Sequence, residues 1–392
     1  MKGNSSSWEL PEELRMLRET VRKFMHNEVI PAEFGLDPDS IEVPSERLLP
    51  MQKKARSLGL WCIESPAQYG GAGLNLLGQA VVAEEAAKCR MGLYFPAASA
   101  FGIDPPNVIF KGTPEQIRRY ALPAMEGGLW CFVAITEASG GSDPGRAIQT
   151  RAVRRGNKYV LNGTKMFIGG ADKSSWGIVF ARTGGPGRSG ISCFIVERDT
   201  PGISMKKIPV MRSYYPNEVH LEDVEIPAEN LLGEEGKGFE IAEQWLIHAR
   251  VPYAAGCIGV AQEALDKAIA YAKLREVFKS RLADMQGLQW MMADSEVELR
   301  AARLLVWQAA WKGDLGRDMK VDTSIAKLYA TETAFRVLDR CIQIFGALGV
   351  AKELPLERWF REMRIKRIGE GPSETHRMVI ARDLLHRTTQ SQ

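Results

Sequence analysis

One glutamate in this chain stands between two glycines. In "RIGEGPSETHR", residues 367–377, Glu370 lies between Gly369 and Gly371, with Pro372 next. A carboxylate on so bent a stretch can take a proton, and apolar surroundings would strengthen it as a base. A solvated loop glutamate is the bland alternative. A second cluster is "ITEASGGSDPG", residues 135–145, where Thr136, Ser139, Gly140, Gly141 and Ser142 follow an apolar strand. Closely approaching backbone N–H groups and hydroxyls there suit a flavin edge or a pyrophosphate. A plain glycine-rich turn is the commoner fate of such a segment. A third is "LNGTKMFIGGADKSSWGIVFAR", residues 161–182. Its "NGTK" predicts a hairpin turn, and Phe167 on the next strand could stack on a flat ligand or join the core.

These residues need a scaffold, and the chain is long enough for one. Its 392 residues allow two or three domains with a large core. At 45% hydrophobic and 25% charged it has the composition of a globular protein. A net charge of +3 is too small to argue for nucleic acid or a membrane surface. No apolar tract is long enough for a transmembrane helix. The start, "MKGNSSSWELPEEL", has no apolar signal core and is too acidic for a transit peptide. A cytoplasmic, bacterial setting is the expectation, although a mature mitochondrial chain would look similar. The six cysteines include no C-x-x-C pair, and the five histidines no H-E-x-x-H. Reduced thiols and no metal site are expected.

Three zones follow one another. Residues 8–125 read mostly as helix, with Leu14, Leu17, Val21, Phe24 and Met25 sharing one face. Residues 126–237 carry short β-rich runs such as "WCFVAIT", "WGIVFAR" and "ISCFIVE", punctuated by turn residues. They predict a small antiparallel barrel or sandwich. Residues 238–388 return to long amphipathic helices. Helices, then strands, then helices is an α+β multidomain order, not a doubly wound sheet. No G-x-G-x-x-G follows a strand, and no P-loop appears.

"AITEASGGSD", "YVLNGTKMFI" and "VEIPAENLLGEEGKGF", in this order and spacing, resemble the acyl-CoA dehydrogenase family. "SPAQYGGAGL", "LREVF" and "QIFGALGV" extend the resemblance over about residues 10–388. It implies an N-terminal helical domain, a central β-domain and a C-terminal four-helix bundle. It implies non-covalent FAD, an acyl-CoA substrate, electron-transfer flavoprotein as acceptor, and a homotetramer built as a dimer of dimers. Neither nucleic acid nor membrane is an expected partner.

Residue by residue, the resemblance places Ile135 and Thr136 at the flavin ring, and Ser142 beside the pyrophosphate and the CoA arm. Phe167 and Ile168 would cover the flavin, with Gly169 following. Arg275 and Phe278 would reach the FAD of a neighbouring subunit, and Gln286, Gln343 and Gly346 its adenine half. Arg275 suits a phosphate, because its guanidinium is a fixed, always-charged fork. Glu370 falls on the family's catalytic base, which removes the α-proton while the β-hydride goes to the flavin. The thioester oxygen would be held by a ribityl hydroxyl and the backbone N–H of Glu370. Gly369 and Gly371 would let that backbone approach the substrate. Arg250 matches a residue of the substrate region, or forms a buried structural ion pair. A minority branch carries its base at the position of Ala249, which cannot take a proton.

Several positions depart from the pattern. Gly169 stands for a threonine, Lys279 for a glycine, Ala347 and Leu348 for Gly-Asn, and Pro372 for a threonine. "GPSETHR" is closer to a divergent branch carrying "DGPDEVH", so a straight-chain substrate is not assumed. Two alternatives use the same scaffold: an acyl-CoA or nitroalkane oxidase, and a flavin-containing DNA-associated protein.

Overall fold

In the computed structural model, which describes residues 9–386, helices come first, strands next and helices last. The outer bounds expected for the first and last zones, 8 and 388, lie outside the described residues. The N-terminal part carries α1 (Glu12–Phe24), α2 (Ile30–Ala32), α3 (Ser45–Ser57), α4 (Leu76–Ala86), α5 (Pro114–Gln116) and α6 (Leu122–Gly127). α1 buries Val21 and Phe24, then runs into a wide turn over Met25–Val29 that buries Met25 and Val29. Glu12 and Glu13 open α1 and Arg22 and Lys23 close it, each sign complementing the helix dipole.

The middle part contains β1 (Trp130–Ala134), α7 (Pro144–Ala147), β2 (Arg151–Arg155), β3 (Lys158–Ile168), β4 (Ser174–Arg182), β5 (Ile191–Glu197), β6 (Ile203–Lys207) and β7 (Asn217–Pro227). The strands form one seven-stranded sheet in the order β1-β4-β2-β3-β7-β6, with β5 also on β4. β1 and β2 run parallel to β4, whereas the other pairs are antiparallel. The sheet is therefore mixed, not antiparallel throughout as the sequence predicted. The chain reaches β4 from β1 only after α7 and the β2–β3 hairpin, a connection long enough for parallel pairing.

"NGTK" is not a turn. It lies inside β3, whose ladder to β7 shifts register between Leu161 and Gly163. Gly163 sits at φ +154°, and a Cβ there would meet Thr150 Oγ1 at 2.4 Å. The glycine thus serves a close approach at a bulge, not a hairpin. The turn between β2 and β3 is Gly156–Asn157 instead, with Gly156 at φ +62°.

The C-terminal part holds α8 (Gly238–Leu274), a short hairpin of β8 (Glu276–Val277) and β9 (Ser280–Arg281), then α9 (Gln286–Asp314), α10 (Lys320–Phe345), α11 (Leu356–Lys366) and α12 (Ser373–His386). α10 packs against α8, α9, α11 and α12. Its core is rich in alanine: Ala254, Ala261, Ala264, Ala302, Ala330 and Ala334 let the helices approach closely. α8 also packs on α4, where a Cβ on Gly259 would lie 1.9 Å from the Glu84 carbonyl. The Asp314 carboxylate accepts the N–H groups of Leu76 and Leu77 at 2.6 and 3.1 Å, capping α4 from the end of α9. Among the described residues no helix is long and apolar enough to cross a membrane.

Candidate active site

Glu370 follows the end of α11 and adopts φ +56°, a left-handed conformation that is sparsely populated outside glycine. Two basic side chains fix this backbone. Arg250 Nε, on α8, donates to the Glu370 carbonyl at 3.2 Å. Lys327 Nζ, on α10, donates to the Gly371 carbonyl at 2.7 Å. The glycines on either side have distinct reasons. A Cβ on Gly369 would meet the Tyr253 hydroxyl at 2.7 Å. Gly371 sits at φ +95° and lies against His376, whose Nε2 would be 3.2 Å from an added Cβ.

Held in this way, Glu370 keeps its reactive atoms free. Its Oε2 is sealed from solvent and has no hydrogen-bond partner. Its backbone N–H finds no acceptor among the described residues. Burial raises its carboxyl above the ordinary range, opposed by Arg250, Lys366 and Lys327. Burial also pushes Lys327 down to about 8 and lowers Arg250. His376 is buried, and its imidazole is pushed down to about 3, first by burial and then by Arg250 and Lys327. Glu64, from the N-terminal part, is raised to about 8 by burial and by the neighbouring charges of Asp104 and Glu370. Asp104 accepts hydrogen bonds from the Ser65 hydroxyl at 2.6 Å and the Ser65 N–H at 2.9 Å.

A second group of candidates gathers where β1 meets β3. The Ile135 carbonyl accepts from Lys165 Nζ at 3.3 Å, and the Thr136 carbonyl from the Met166 N–H at 2.9 Å. Lys165 is fully buried and pairs with Glu137 at 2.8 Å. Glu137 also accepts the N–H groups of Gln149 and Thr150 at 2.7 and 3.1 Å. This pair ties the "ITEASGG" segment to β3, and the sequence reading missed it. Lys165 stands in the "NGTK" taken for a turn, where a buried lysine is not expected. Ser142 is exposed. Phe167 is 58% exposed at φ +59°, while the Ile168 side chain is buried in the sheet core. Only the main chain of Ile168 is left to face a ligand. Gly169 has open space beside it, with the Tyr214 ring 4.0 Å from a would-be Cβ.

Aromatic rings connect the two groups. Trp130 and Tyr214 lie 6.1 Å apart, and Tyr214 and Tyr94 6.2 Å apart, centroid to centroid. Tyr94 in turn contacts Lys366, four residues before Glu370 at the end of α11. No hydrogen bond, ion pair or ring contact joins Arg275, Phe278, Gln286, Gln343 or Gly346 to either group among the described residues. They sit where α8 and α10 end side by side, joined by the stacked rings of Tyr271 and Phe345 at 4.5 Å. Arg275, Gln286, Gln343 and Gly346 are exposed, and Phe278 is 95% exposed at φ +50°.

These features fit a bound flavin nucleotide. A sealed carboxyl oxygen and a left-handed phenylalanine projecting into solvent both lack partners that a flat ligand would supply. Comparison with known proteins decides the family. Residues 11–128, 132–224 and 236–385 match, in turn, the N-terminal, middle and C-terminal domains of acyl-CoA dehydrogenase.

The chain belongs to the acyl-CoA dehydrogenase family.

It is 38% identical to the probable acyl-CoA dehydrogenase YngJ of Bacillus subtilis, over 97% of this chain and 100% of that protein. It is 38% identical to the acryloyl-CoA reductase (NADH) of Anaerotignum propionicum, over 96% of each chain. The structure of butyryl-CoA dehydrogenase from Megasphaera elsdenii is similar with a TM-score of 0.86 at 32% identity, over 97% of this chain and 100% of that one. The family is FAD-dependent, and the chain is a flavoprotein oxidoreductase with the family's three-part fold.

Proposed function

We propose that this protein removes the α and β hydrogens of an acyl-CoA thioester, leaving the trans-2-enoyl-CoA, with Glu370 as the base. One observation carries this reading: Glu370 presents a sealed, unpartnered carboxyl oxygen and an unpartnered N–H on the same residue. The oxygen can take the α-proton. The N–H can hold the thioester oxygen, on which negative charge grows as that proton leaves. Arg250 and Lys327 keep the two groups in register by fixing the carbonyls on either side. Burial makes the carboxylate a stronger base, while three nearby cations keep it from becoming permanently protonated.

Bound FAD supplies the acceptor for the β-hydride. Ile135, Thr136, Ser142, Phe167, the main chain of Ile168 and Gly169 would hold its ring and pyrophosphate. Arg275, Phe278, Gln286, Gln343 and Gly346 would hold the adenine half of the FAD of a second copy. Phe278, which is 95% exposed, supports a multi-subunit arrangement. The two electrons then pass to an electron-transfer flavoprotein.

The test is an anaerobic titration of the purified protein with straight, branched and dicarboxylic acyl-CoAs, reading flavin absorbance. Bleaching by one subset, lost in Glu370→Gln, is expected. A flavin that no thioester bleaches would overturn the reading. Rapid reoxidation of the reduced protein by air would favour an oxidase. The reductase among the relatives supports a second reading, in which the same site runs backwards and Glu370 returns the proton. Consumption of NADH with an enoyl-CoA would select that direction.

A further inference from the structure

Three cations act on Glu370: Arg250, Lys366 and Lys327. Two of them are satisfied. Arg250 and Lys327 each donate to a backbone carbonyl of the Glu370 loop. Lys366 is different. It is 3% exposed, yet its Nζ has no hydrogen-bond acceptor and forms no ion pair among the described residues. The ammonium rests on two rings, 3.4 Å from the Tyr94 centroid and 4.6 Å from that of Tyr253. Glu362, one turn earlier on α11, pairs instead with Arg358 Nε at 3.3 Å.

A second cation shares the Tyr94 ring. Arg212 is 8% exposed, and its Cζ lies 3.9 Å from the same centroid. Its Nε donates to the Tyr214 carbonyl at 2.5 Å, and its guanidinium also hydrogen-bonds the Tyr94 side chain. A cation over an aromatic face recovers only part of the cost of burying an ion without a partner. Glu362, which already pairs with Arg358, is a buried carboxyl facing both cations, so one shared counter-charge stands against three cations. Burial pushes Lys366 down to about 7, and Arg212 adds to that push against Cys257, Glu362 and Glu370. An arriving anion would reverse that push.

We infer that Lys366 and Arg212, seated on Tyr94, form an anion-recognition subsite, and that the acyl group handled here carries a carboxylate at its far end. The inference rests on the proposed function, since Glu370 marks where the α-carbon lies. Lys366 ends α11 four residues before Glu370 and its charge acts on that carboxyl, so a chain reaching from one to the other is short. Tyr94 and Tyr253 would flank its methylene groups, and Lys366 with Arg212 would meet its terminus. A neutral alkyl tail would leave the Lys366 ammonium without an acceptor, at the cost that buried unsatisfied donors carry. A site built to pair with a group rejects the analogue that lacks it.

The experiment compares ω-carboxyacyl-CoA thioesters of increasing length with their ω-carboxamide analogues, which have the same shape without the charge. Dissociation constants are measured by calorimetry in Glu370→Gln, which removes turnover from the readout. The carboxylate form of one length should bind roughly tenfold or more tightly than its amide. In Glu370→Gln combined with Lys366→Met that ratio should collapse towards one. Equal affinity for acid and amide at every length overturns the inference. An equal loss for both ligands in the Glu370→Gln, Lys366→Met protein also overturns it, because Lys366 would then act only on the loop. The acid–amide comparison needs no Lys366 variant, so a misfolded substitution does not shield the idea. Failure of the dehydrogenase reading shows separately. Wild-type flavin would stay oxidised with every thioester while the acid–amide preference persisted.

Discussion

Arg250 Nε binds the backbone carbonyl of Glu370 at 3.2 Å, not its carboxylate, and the carboxyl Oε2 is left sealed and unpartnered. An arginine paired to the carboxylate would have occupied both lone-pair sites in a fork and held its pKa low. Bound to the carbonyl, it orients the residue and leaves the carboxyl oxygen unpaired. Arg250→Lys should therefore lower kcat/KM by about 10–100-fold, since small misplacements of a reacting group cost that much. FAD content, read from the absorbance ratio of the purified protein, should be preserved. Unchanged kcat/KM would show that the contact does not position Glu370.

Replacing the proposed base itself should be more severe. Glu370→Gln should slow flavin reduction in stopped-flow measurements by about 10²–10⁴-fold, the usual contribution of a general base. Rates within a few-fold of wild type would remove Glu370 from the proton transfer.

The same carboxyl has a signature in stability. Its folded pKa lies above the ordinary value of 4.5, mainly through burial. Between those two values the folded protein binds more protons than the unfolded chain. This contribution to stability is therefore present at low pH and is lost as pH rises through the folded pKa. Glu370→Gln carries no such loss. Its Tm should exceed that of wild type at neutral pH, and the gap should close towards pH 4.5. For catalysis the sign is opposite: dehydrogenation needs the carboxylate, so kcat/KM should rise with pH through this group.

Beside Glu370, Tyr253 leaves no room for a side chain at Gly369. A Cβ there would meet the Tyr253 hydroxyl at 2.7 Å. Gly369→Ala should therefore impair flavin reduction, and Tyr253→Phe in the same chain should restore part of it by removing the opposing oxygen. Gly371→Ala has no such rescue, because φ +95° itself disfavours a side chain. It should destabilise by more than about 1 kcal/mol in denaturant titration. Equal damage in the single and double variants at 369 would assign the defect to the loop's backbone.

The buried Lys165–Glu137 pair holds the segment bearing Ile135 and Thr136. Lys165→Met should cost about 3–5 kcal/mol, because it strands a buried carboxylate. Lys165→Met with Glu137→Gln should cost less than Lys165→Met alone. Chemical denaturation of the three proteins checks this ordering. A double variant no more stable than the single would mean that the carboxylate is not the stranded group.

How much of this was legible beforehand varies from feature to feature. The order of helices, strands and helices follows from hydrophobic periodicity, a local property, and the structure reproduces it. Glu370 stood out because two flanking glycines and a proline are local signals. "NGTK" misled because an Asn-Gly step suits a tight turn, whereas here the glycine clears room for Thr150, which comes from another part of the sheet. Strand direction was misjudged for a similar reason: pairing depends on which strands become neighbours, not on their own composition.

The sequence by itself determined which residue types the elements would carry and where the chain would bend. Tertiary structure alone decided that Arg250 and Lys327 grip the carbonyls of one loop, and that Lys366 and Arg212 meet on one tyrosine ring. Those residues come from distant segments. Whether a charged side chain finds a partner or is buried without one depends on every element packed around it. That environment sets the cost of its charge, and no local pattern of residues encodes it.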